Sequence, residues 1–219
     1  MLNLNTEILD IVLLTLQVSG TALIIAAALG LTTGFVIALK EFPGKKVLIT
    51  LVNTGMGLPP VVVGLAVLMV FWRQGPLGFL DWIYTPKAMI VAQVILATPI
   101  IAGLTLAAIQ QIPQKMKWQA QALGAKGWNL VRLFAHETRF SLLAALMAGF
   151  GGIISEVGAV MMVGGNIRGQ TRVLTSAIVL ESQRGELGFA LALGGVLLTL
   201  SFSVNLFFTW LQQKRTTPS

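Results

Sequence analysis

Long runs of uncharged, mostly apolar residues dominate the pattern along this chain. Four of them contain no Asp, Glu, Lys or Arg: 11–39, 47–72, 88–114 and 187–213. A fifth run starts at Phe140 and is interrupted by one acid, Glu156. Because about 20 apolar residues in a helix cross roughly 30 Å of hydrocarbon, each run predicts one membrane-spanning helix. We therefore predict an all-α integral membrane protein with five transmembrane helices.

The five predicted spans belong to a single transmembrane domain, residues 1–219. Their predicted bounds are about 11–39, 47–72, 87–110, 140–163 and 187–211. A polar insert of about 112–139 separates the third span from the fourth.

Proline and glycine interrupt the second and third spans. Asn53, Thr54, Pro59 and Pro60 lie around two glycines in the second span. Proline removes a backbone donor and clashes with the preceding turn, so a break is expected there, and Thr98-Pro99 predicts a kink in the third span. Irregular backbone at this depth is tolerated where protein buries it or where it lines a water-filled cavity. Packing and lining a pathway both remain open for the second span.

Lys and Arg are unequally distributed between the two sides of the predicted domain. Five lie on the side of the N-terminus: Arg73, Lys87, Arg168, Arg172 and Arg184. Ten lie on the other side: Lys40, Lys45, Lys46, Lys115, Lys117, Lys126, Arg132, Arg139, Lys214 and Arg215. Because cytoplasmic loops carry the excess of basic residues, we predict an external N-terminus, a cytoplasmic insert and a cytoplasmic C-terminus. The net charge of +7 then reflects topology and contact with membrane lipid, and no nucleic-acid partner is expected.

The residue types needed for common catalytic and cofactor sites are missing from the sequence. There is no Gly-x-x-x-x-Gly-Lys-Ser/Thr loop for ATP phosphates. One histidine without any cysteine leaves nothing for a zinc site, and no Ser–His–Asp set is credible. We expect a conduit rather than an enzyme, with no catalytic residues and no metal or cofactor bound by this chain.

The insert 112–139 combines basic residues with a small apolar ridge. The ridge comprises Ala120, Ala122, Leu123 and Ala125. Gly124 and Gly127 allow a sharp turn into a second apolar segment that starts at Trp128. We predict two short helices around a glycine turn. Such a pair fits a groove on a partner protein or lies on the membrane surface as an amphipathic element, and physics alone leaves both open.

A second polar cluster interrupts the fourth span and continues into an outer loop, 166–186. A carboxylate within a span costs about 2.5–3.5 kcal/mol on insertion scales, so Glu156 is expected to face a partner or a cavity. It is either a structural hydrogen-bonding anchor or part of an outer gate. The loop carries three arginines: Arg168, Arg172 and Arg184.

Several blocks of the sequence resemble a known family of transport proteins. Ala122-Leu123-Gly124-Ala125, followed by Trp128, resembles the EAA loop of ABC-importer permeases, with Trp118-Gln119-Ala120 where Glu-Ala-Ala is usual and His136-Glu137 where Leu-Pro is usual. The block 56–65, the stretch 155–169 and Thr171–Thr175 resemble the oxyanion permeases, most of all the tungstate type. The likeness covers nearly the whole chain.

The resemblance implies the permease subunit of an ABC importer for tungstate or a similar tetrahedral oxyanion, with the type I permease fold. It would be a multi-pass protein of the prokaryotic plasma (inner) membrane. A separate ABC ATPase would bind ATP and Mg and dock on the coupling loop at Trp118, Ala120, Ala122, Leu123, Gly124, Ala125 and Trp128. An extracytoplasmic oxyanion-binding protein would dock at Arg168, Arg172 and Arg184, and direct capture of the anion by Arg168 or Arg172 is the alternative.

One coupling loop per chain implies a homodimer, with two copies for two ATPases. Substrate would pass between the copies, and the pathway or gate residues would be Asn53, Thr54, Pro59, Pro60, Ser155, Glu156, Gly158 and Asn166. A molybdate or sulfate permease of the same superfamily is an alternative. From a different class, so is an ion-coupled secondary transporter, in which Glu156 is the one clear coupling group.

Overall fold

The structure, a computed structural model, describes residues 2–213. Residues 1 and 214–219 lie outside the described part, and with them Lys214 and Arg215 of the predicted cytoplasmic side. No residue within 2–213 forms a β-strand, and the predicted all-α class is confirmed. The α-helices of this range are α1 (Leu2–Leu39), α2 (Lys45–Met56), α3 (Pro60–Phe71), α4 (Pro86–Gln110), α5 (Gln114–Ala122), α6 (Trp128–Glu137), α7 (Arg139–Ile154), α8 (Gly158–Gly164), α9 (Leu174–Gln183) and α10 (Leu187–Gln213).

Three of the described helices are long and apolar enough to cross a membrane alone: α1 over Glu7–Leu39, α4 and α10. Two helix pairs meet the same test only when their members are combined. The bend within a pair is 105° between α2 and α3 and 79° between α6 and α7. Counting each bent pair as one span gives five, the number that the hydrophobic runs predict, but the second pair contains α6 of the insert in place of α8.

The second predicted span consists of two helices. α2 ends at Met56, and α3 begins at Pro60, where the missing N–H of proline costs nothing because the first helical N–H groups have no partner within the helix. Gly57, Leu58 and Pro59 connect them. The break is therefore where proline chemistry predicts it, while its angle reflects tertiary packing of α3 against α8.

The fourth predicted span, 140–163, differs from the continuous helix that the sequence indicated. α7 ends at Ile154 and α8 begins at Gly158, so Glu156 lies between two helices. The Ser155 hydroxyl and the Glu156 carboxylate both bond to nearby backbone groups. Such local bonds compete with the helical pattern, which accounts for a break that no proline signals.

The outer loop 166–186 contains a further helix, α9, which the sequence pattern does not predict. Leu174 and Ala177 of α9 are buried with Ile11 of α1 and Leu193 of α10. Apolar residues three positions apart place one face of this helix in the core. The loop is therefore part of the packed bundle.

α4 is the central helix and continues through Pro99, where a kink was predicted, without ending there. It packs against α1, α2, α3, α7 and α8. Gly30 and Gly34 allow α1 to approach α4 closely. A Cβ at Gly30 would lie 2.8 Å from the Cβ of Ile101, and one at Gly34 would lie 2.6 Å from the Cβ of Thr105. Close approach through small residues is typical of helix packing in membranes.

Candidate functional site

A cavity of about 240 Å³ lies where the two broken spans meet α4. Met56 and Pro60 line it from the α2–α3 break, Ile100 lines it from α4, and Ser155 and Glu156 line it from the α7–α8 break. Glu156 is only 9% exposed. The cavity thus brings together two breaks that are far apart in the sequence.

Three of the predicted pathway residues, Pro60, Ser155 and Glu156, line this cavity. Gly158 lies where α8 packs on α3, since a Cβ added to it would be 2.7 Å from the Cγ2 of Val61. A larger residue at this position would require the Val61 side chain to move. Gly158 therefore contributes to the closeness of the two broken spans.

Asn53, Thr54 and Pro59 lie along an exposed stretch at the α2–α3 break. Every residue from 56 to 62 is also exposed in the single chain. The stretch includes non-helical backbone, and at membrane depth such backbone does not face lipid. A protein neighbour or water must therefore lie beside this surface.

Asn166 lies at the start of the α9 region and does not line the cavity. Its backbone is left-handed, with φ 51°, a conformation that asparagine tolerates better than most residues. Its Nδ2 donates to the Ser176 carbonyl at 3.1 Å, and its Oδ1 accepts from the Ser176 hydroxyl at 3.0 Å. These contacts hold the first turn of α9 in place.

Two polar residues that were not predicted from the sequence contact the α7–α8 break. Gln93 of α4 donates from Nε2 to the carbonyl of Ile153 at 3.3 Å. Thr175 of α9 donates from Oγ1 to the carbonyl of Glu156 at 3.0 Å. Both are buried. In the sequence, Gln93 stands out as an amide in the middle of a charge-free run. Thr175 does not stand out, because the sequence pattern does not predict α9.

The insert forms the two short helices, α5 and α6, that its glycines predict. Gly124 and Gly127 have φ of 84° and 54°, in the left-handed region that favours glycine. α6 is anchored to the bundle, because Phe134 is buried with Phe35 of α1 and Ile109 of α4. Phe134 is therefore covered by the protein itself, while Trp128 and Leu133 of the same helix are exposed.

Three large apolar side chains, Trp118, Leu123 and Trp128, are exposed on either side of the glycine turn. We name them the apolar tip. Leu123 is 89% exposed. The smaller predicted docking residues differ in burial: exposed Ala122 and Gly124, half-buried Ala125 and buried Ala120. Exposed apolar residues grouped in one short segment mark an interaction surface.

The charged residues of the outer loop and the start of α1 form one ion-pair network: Glu7, Arg168, Arg172, Glu181 and Arg184. A guanidinium nitrogen of Arg172 lies 3.5 Å from Glu7 and 4.0 Å from Glu181, and its side chain is 11% exposed. The side chain of Arg168, which also pairs with Glu7, is 69% exposed. Arg172 is thus held between two carboxylates, while Arg168 and Arg184 remain accessible.

These features define a helical membrane protein with an internal cavity, an anchored helix pair at one end and a charged surface formed by α1 and α9. Within residues 2–213, no group of three or more His, Cys, Asp or Glu side chains is placed to hold a metal ion. The family described as binding-protein-dependent transport system inner membrane component matches residues 19–217. The chain belongs to this family, and it is a transport component of the inner membrane.

Individual relatives agree with this assignment. A probable anion ABC transporter permease protein of Haloferax volcanii is 42% identical over 205 residues, covering 91% of this chain and 88% of that protein. The tungstate uptake system permease protein TupB of Peptoclostridium acidaminophilum is 36% identical over 214 residues, or 98% and 94% of the two chains. A solved amino acid ABC transporter with histidines has a TM-score of 0.71 at 16% identity, over 98% of this chain and 96% of that chain. The predicted family and type I permease fold are confirmed.

Proposed function

We propose that this chain is the membrane-spanning permease subunit of an ATP-driven importer of tungstate or a similar tetrahedral oxyanion. The names of two similar proteins, an anion permease and a tungstate uptake permease, support this substrate class. Molybdate and sulfate share the tetrahedral shape and are the alternatives within it. ATP and Mg would bind to a separate ATPase subunit.

The observation that carries the proposal is the exposed break between α2 and α3. Its non-helical backbone, around Gly57 and Pro59, lies on the surface of the single chain. A second copy related by a two-fold axis would cover this surface with its own break and leave a water-filled path between the two. The anion would then pass the stretch 53–60 and the cavity beside Glu156.

The apolar tip would supply the docking surface for the ATPase. α6 is packed on α1 and α4 through Phe134, so a displacement of the tip would act directly on the helices around the cavity. ATP binding by the partner would thus alternate access to the pathway. The anchoring of α6 on the bundle through Phe134 favours this role over an amphipathic element lying on the membrane.

The outer ion-pair network would meet the extracytoplasmic binding protein. Arg168 and Arg184 are accessible to acidic groups on such a partner. Arg172 is already held by Glu7 and Glu181, which disfavours direct capture of the anion by its guanidinium. A strongly bound dianion at that point would also oppose release into the pathway.

Transport by the reconstituted complex tests the proposal. Vesicles containing the purified chain and its ATPase, supplied with the binding protein, should take up tungstate only with ATP, and each complex should hold two copies of the chain. A preference for molybdate or sulfate would change the substrate and leave the mechanism intact. Uptake by the chain alone, driven by an ion gradient, would replace the importer with an ion-coupled transporter.

A matched pair of serine substitutions tests the docking surface. Leu123→Ser should reduce copurification of the ATPase about tenfold, in the range expected for a central apolar anchor of an interface. Phe79→Ser is the control, because Phe79 is 77% exposed on the loop between α3 and α4. It should retain the ATPase. Equal retention by the two variants would contradict docking at the apolar tip.

A further inference from the structure

The α7–α8 break is held by side chains from two other helices. α7 ends at Ile154 without a proline, so its last carbonyls lose the regular helical pattern, and the Ile153 carbonyl accepts from the Glu156 N–H at 3.3 Å. At membrane depth such groups need partners inside the protein. Gln93 of α4 bonds to the Ile153 carbonyl, and Thr175 of α9 bonds to the Glu156 carbonyl.

The side chain of Glu156 is held at the same break. Its Oε1 accepts from the N–H of Ala159 at 2.8 Å, and the residue lines the 240 Å³ cavity. The position of the carboxylate in the cavity therefore depends on the backbone of residues 155–157. Thr175 bonds to this backbone at the Glu156 carbonyl, and Gln93 bonds just before it, at the Ile153 carbonyl.

Thr175 belongs to α9, which is held in place by contacts with α1. The hydroxyl of Thr15 in α1 accepts from the N–H of Leu174 at 2.9 Å and donates to the carbonyl of Ile11 at 2.7 Å. Glu181, on the same helix as Thr175, belongs to the outer ion-pair network. The residues in these contacts are all buried: Ile11, Thr15, Leu174, Thr175 and Glu181. A shift of α9 would therefore break buried contacts.

Gln93 satisfies only one end of its amide. Its Oε1 is buried and accepts no hydrogen bond within the described part of the chain. A hydrogen-bonded amide with one unsatisfied end gains little net stability. The bond from Nε2 to the Ile153 carbonyl ties α4 to the end of α7, which favours a positioning role over a stabilising one.

We propose that Gln93 and Thr175 are positioning residues, a brace that keeps the α7–α8 break in one conformation and holds the Glu156 carboxylate in the cavity as a barrier to the anion. A carboxylate fixed beside a narrow path repels a dianion. While the brace holds, the anion does not cross, and opening the pathway requires the break to shift. This inference rests on the proposed function, because the barrier matters only for an anion.

Side-chain substitutions at nearly constant volume isolate the brace. Thr175→Val and Gln93→Met remove the two donors, while Thr175→Ser keeps the hydroxyl. Thr199→Val is the matched control, because the Thr199 hydroxyl bonds to the Gly195 carbonyl of its own helix and is exposed. All are assembled with the ATPase and the binding protein in vesicles.

The readout is the number of ATP molecules hydrolysed for each anion imported. Thr175→Val and Gln93→Met should each raise it about threefold or more, the range expected for one lost buried hydrogen bond, and should let preloaded anion leave without ATP. Thr175→Ser and Thr199→Val should keep the wild-type ratio. A purely structural role lowers the amount of complex without changing the ratio, so an unchanged ratio in both donor-removing variants overturns the brace.

A reporter cysteine tests the brace independently of the substrate. The chain has no cysteine, so Ser155→Cys introduces a single thiol in the cavity lining. Alkylation by a small polar maleimide, measured per assembled complex, should be about threefold faster or more when Thr175→Val is added, for the same reason, and unchanged with Thr199→Val. Equal rates would contradict the brace. If the wild-type complex imports no oxyanion, the proposed function falls, while the alkylation rates still decide whether the brace exists.

Discussion

At the residue scale, Arg172 connects distant parts of the chain. Its guanidinium lies between Glu7 of α1 and Glu181 of α9, and all three side chains are largely buried. Without Arg172, two carboxylates would remain close together without a shared counter-charge. Arg168 pairs with the same Glu7, but solvent screens that pair because the Arg168 side chain is mostly exposed.

Replacement of the two arginines by methionine should therefore have unequal effects. Arg172→Met should destabilise the protein by about 1.5–3 kcal/mol, because two largely buried carboxylates lose a charged hydrogen-bonding partner and keep only the exposed Arg168 and Arg184. Arg168→Met should cost less than about 1 kcal/mol, as expected for an exposed pair. The measurement is the temperature at which half of the purified protein ceases to be monodisperse. Equal temperatures for the two variants would show that the buried Arg172 stabilises the protein no more than the exposed Arg168 does.

The sequence alone identified the cations of this network but not their partner in α1. Three arginines in an otherwise apolar chain are conspicuous, and each was predicted to act at the outer surface. Glu7 pairs with Arg172 across 165 residues, and nothing local indicates that pairing. Which cation is buried depends on where α9 packs, which is a tertiary property.

At the element scale, proline is an uneven guide to where these helices end. Pro59 and Pro60 mark a break as their steric chemistry predicts, yet α4 continues through Pro99. The break after Ile154 has no proline at all. Ser155 and Glu156 bond locally to the backbone there, and Gln93 and Thr175 bond to it from other helices, which no local pattern reveals.

The same dependence on tertiary contacts explains why α9 was missed. Its apolar residues, Leu174 and Ala177, have helical spacing, but only ten residues lie within the helix. A helix this short is not stable by itself and forms because packing supports it. The long apolar runs, in contrast, satisfy their backbone groups internally and were predictable.

The contact between α3 and α8 gives a prediction about these short elements. A Cβ at Gly64 would lie 2.7 Å from the Cα of Ala159, and backbone does not yield cheaply. Gly64→Ala should destabilise the protein by about 1–3 kcal/mol, as overpacking does. Gly20→Ala is the control, since nothing lies within 4 Å of its added Cβ, and it should be neutral or gain up to about 1 kcal/mol in helix propensity.

The melting temperatures of the two alanine variants decide the point. Gly64→Ala should melt lower than the wild type and Gly20→Ala should not. If Gly64→Ala is as stable as Gly20→Ala, the close packing of the two broken spans is not a requirement of the fold.

At the scale of the whole molecule, α1 contacts both functional ends. Phe35 packs with Phe134 of the anchored helix pair, while Glu7 and Thr15 contact the α9 region. A helix of 38 residues is about 57 Å long at 1.5 Å per residue, which exceeds the thickness of the hydrocarbon core. The two ends of α1 therefore lie on opposite sides of the membrane, which separates the apolar tip from the charged network.

Which end faces the cytoplasm is predicted only from the basic residues. The cytoplasmic side has ten and the external side five, and without Lys214 and Arg215, which lie outside the described residues, the comparison is eight against five. The bundle packs identically in either orientation, because its internal contacts do not depend on the direction of insertion. Orientation is set by the membrane during insertion, so it needs its own experiment.

The absence of native cysteine makes that experiment direct. Leu123→Cys and Phe79→Cys each introduce one exposed thiol, at opposite ends of the predicted topology. In spheroplasts, a membrane-impermeant maleimide should label Phe79→Cys and should label Leu123→Cys only after the membrane is permeabilised. Labelling of Leu123→Cys in intact spheroplasts would show that the apolar tip lies outside the membrane. An ATPase in the cytoplasm would then have no surface to dock on, and the proposed coupling between nucleotide binding and the cavity would fail with it.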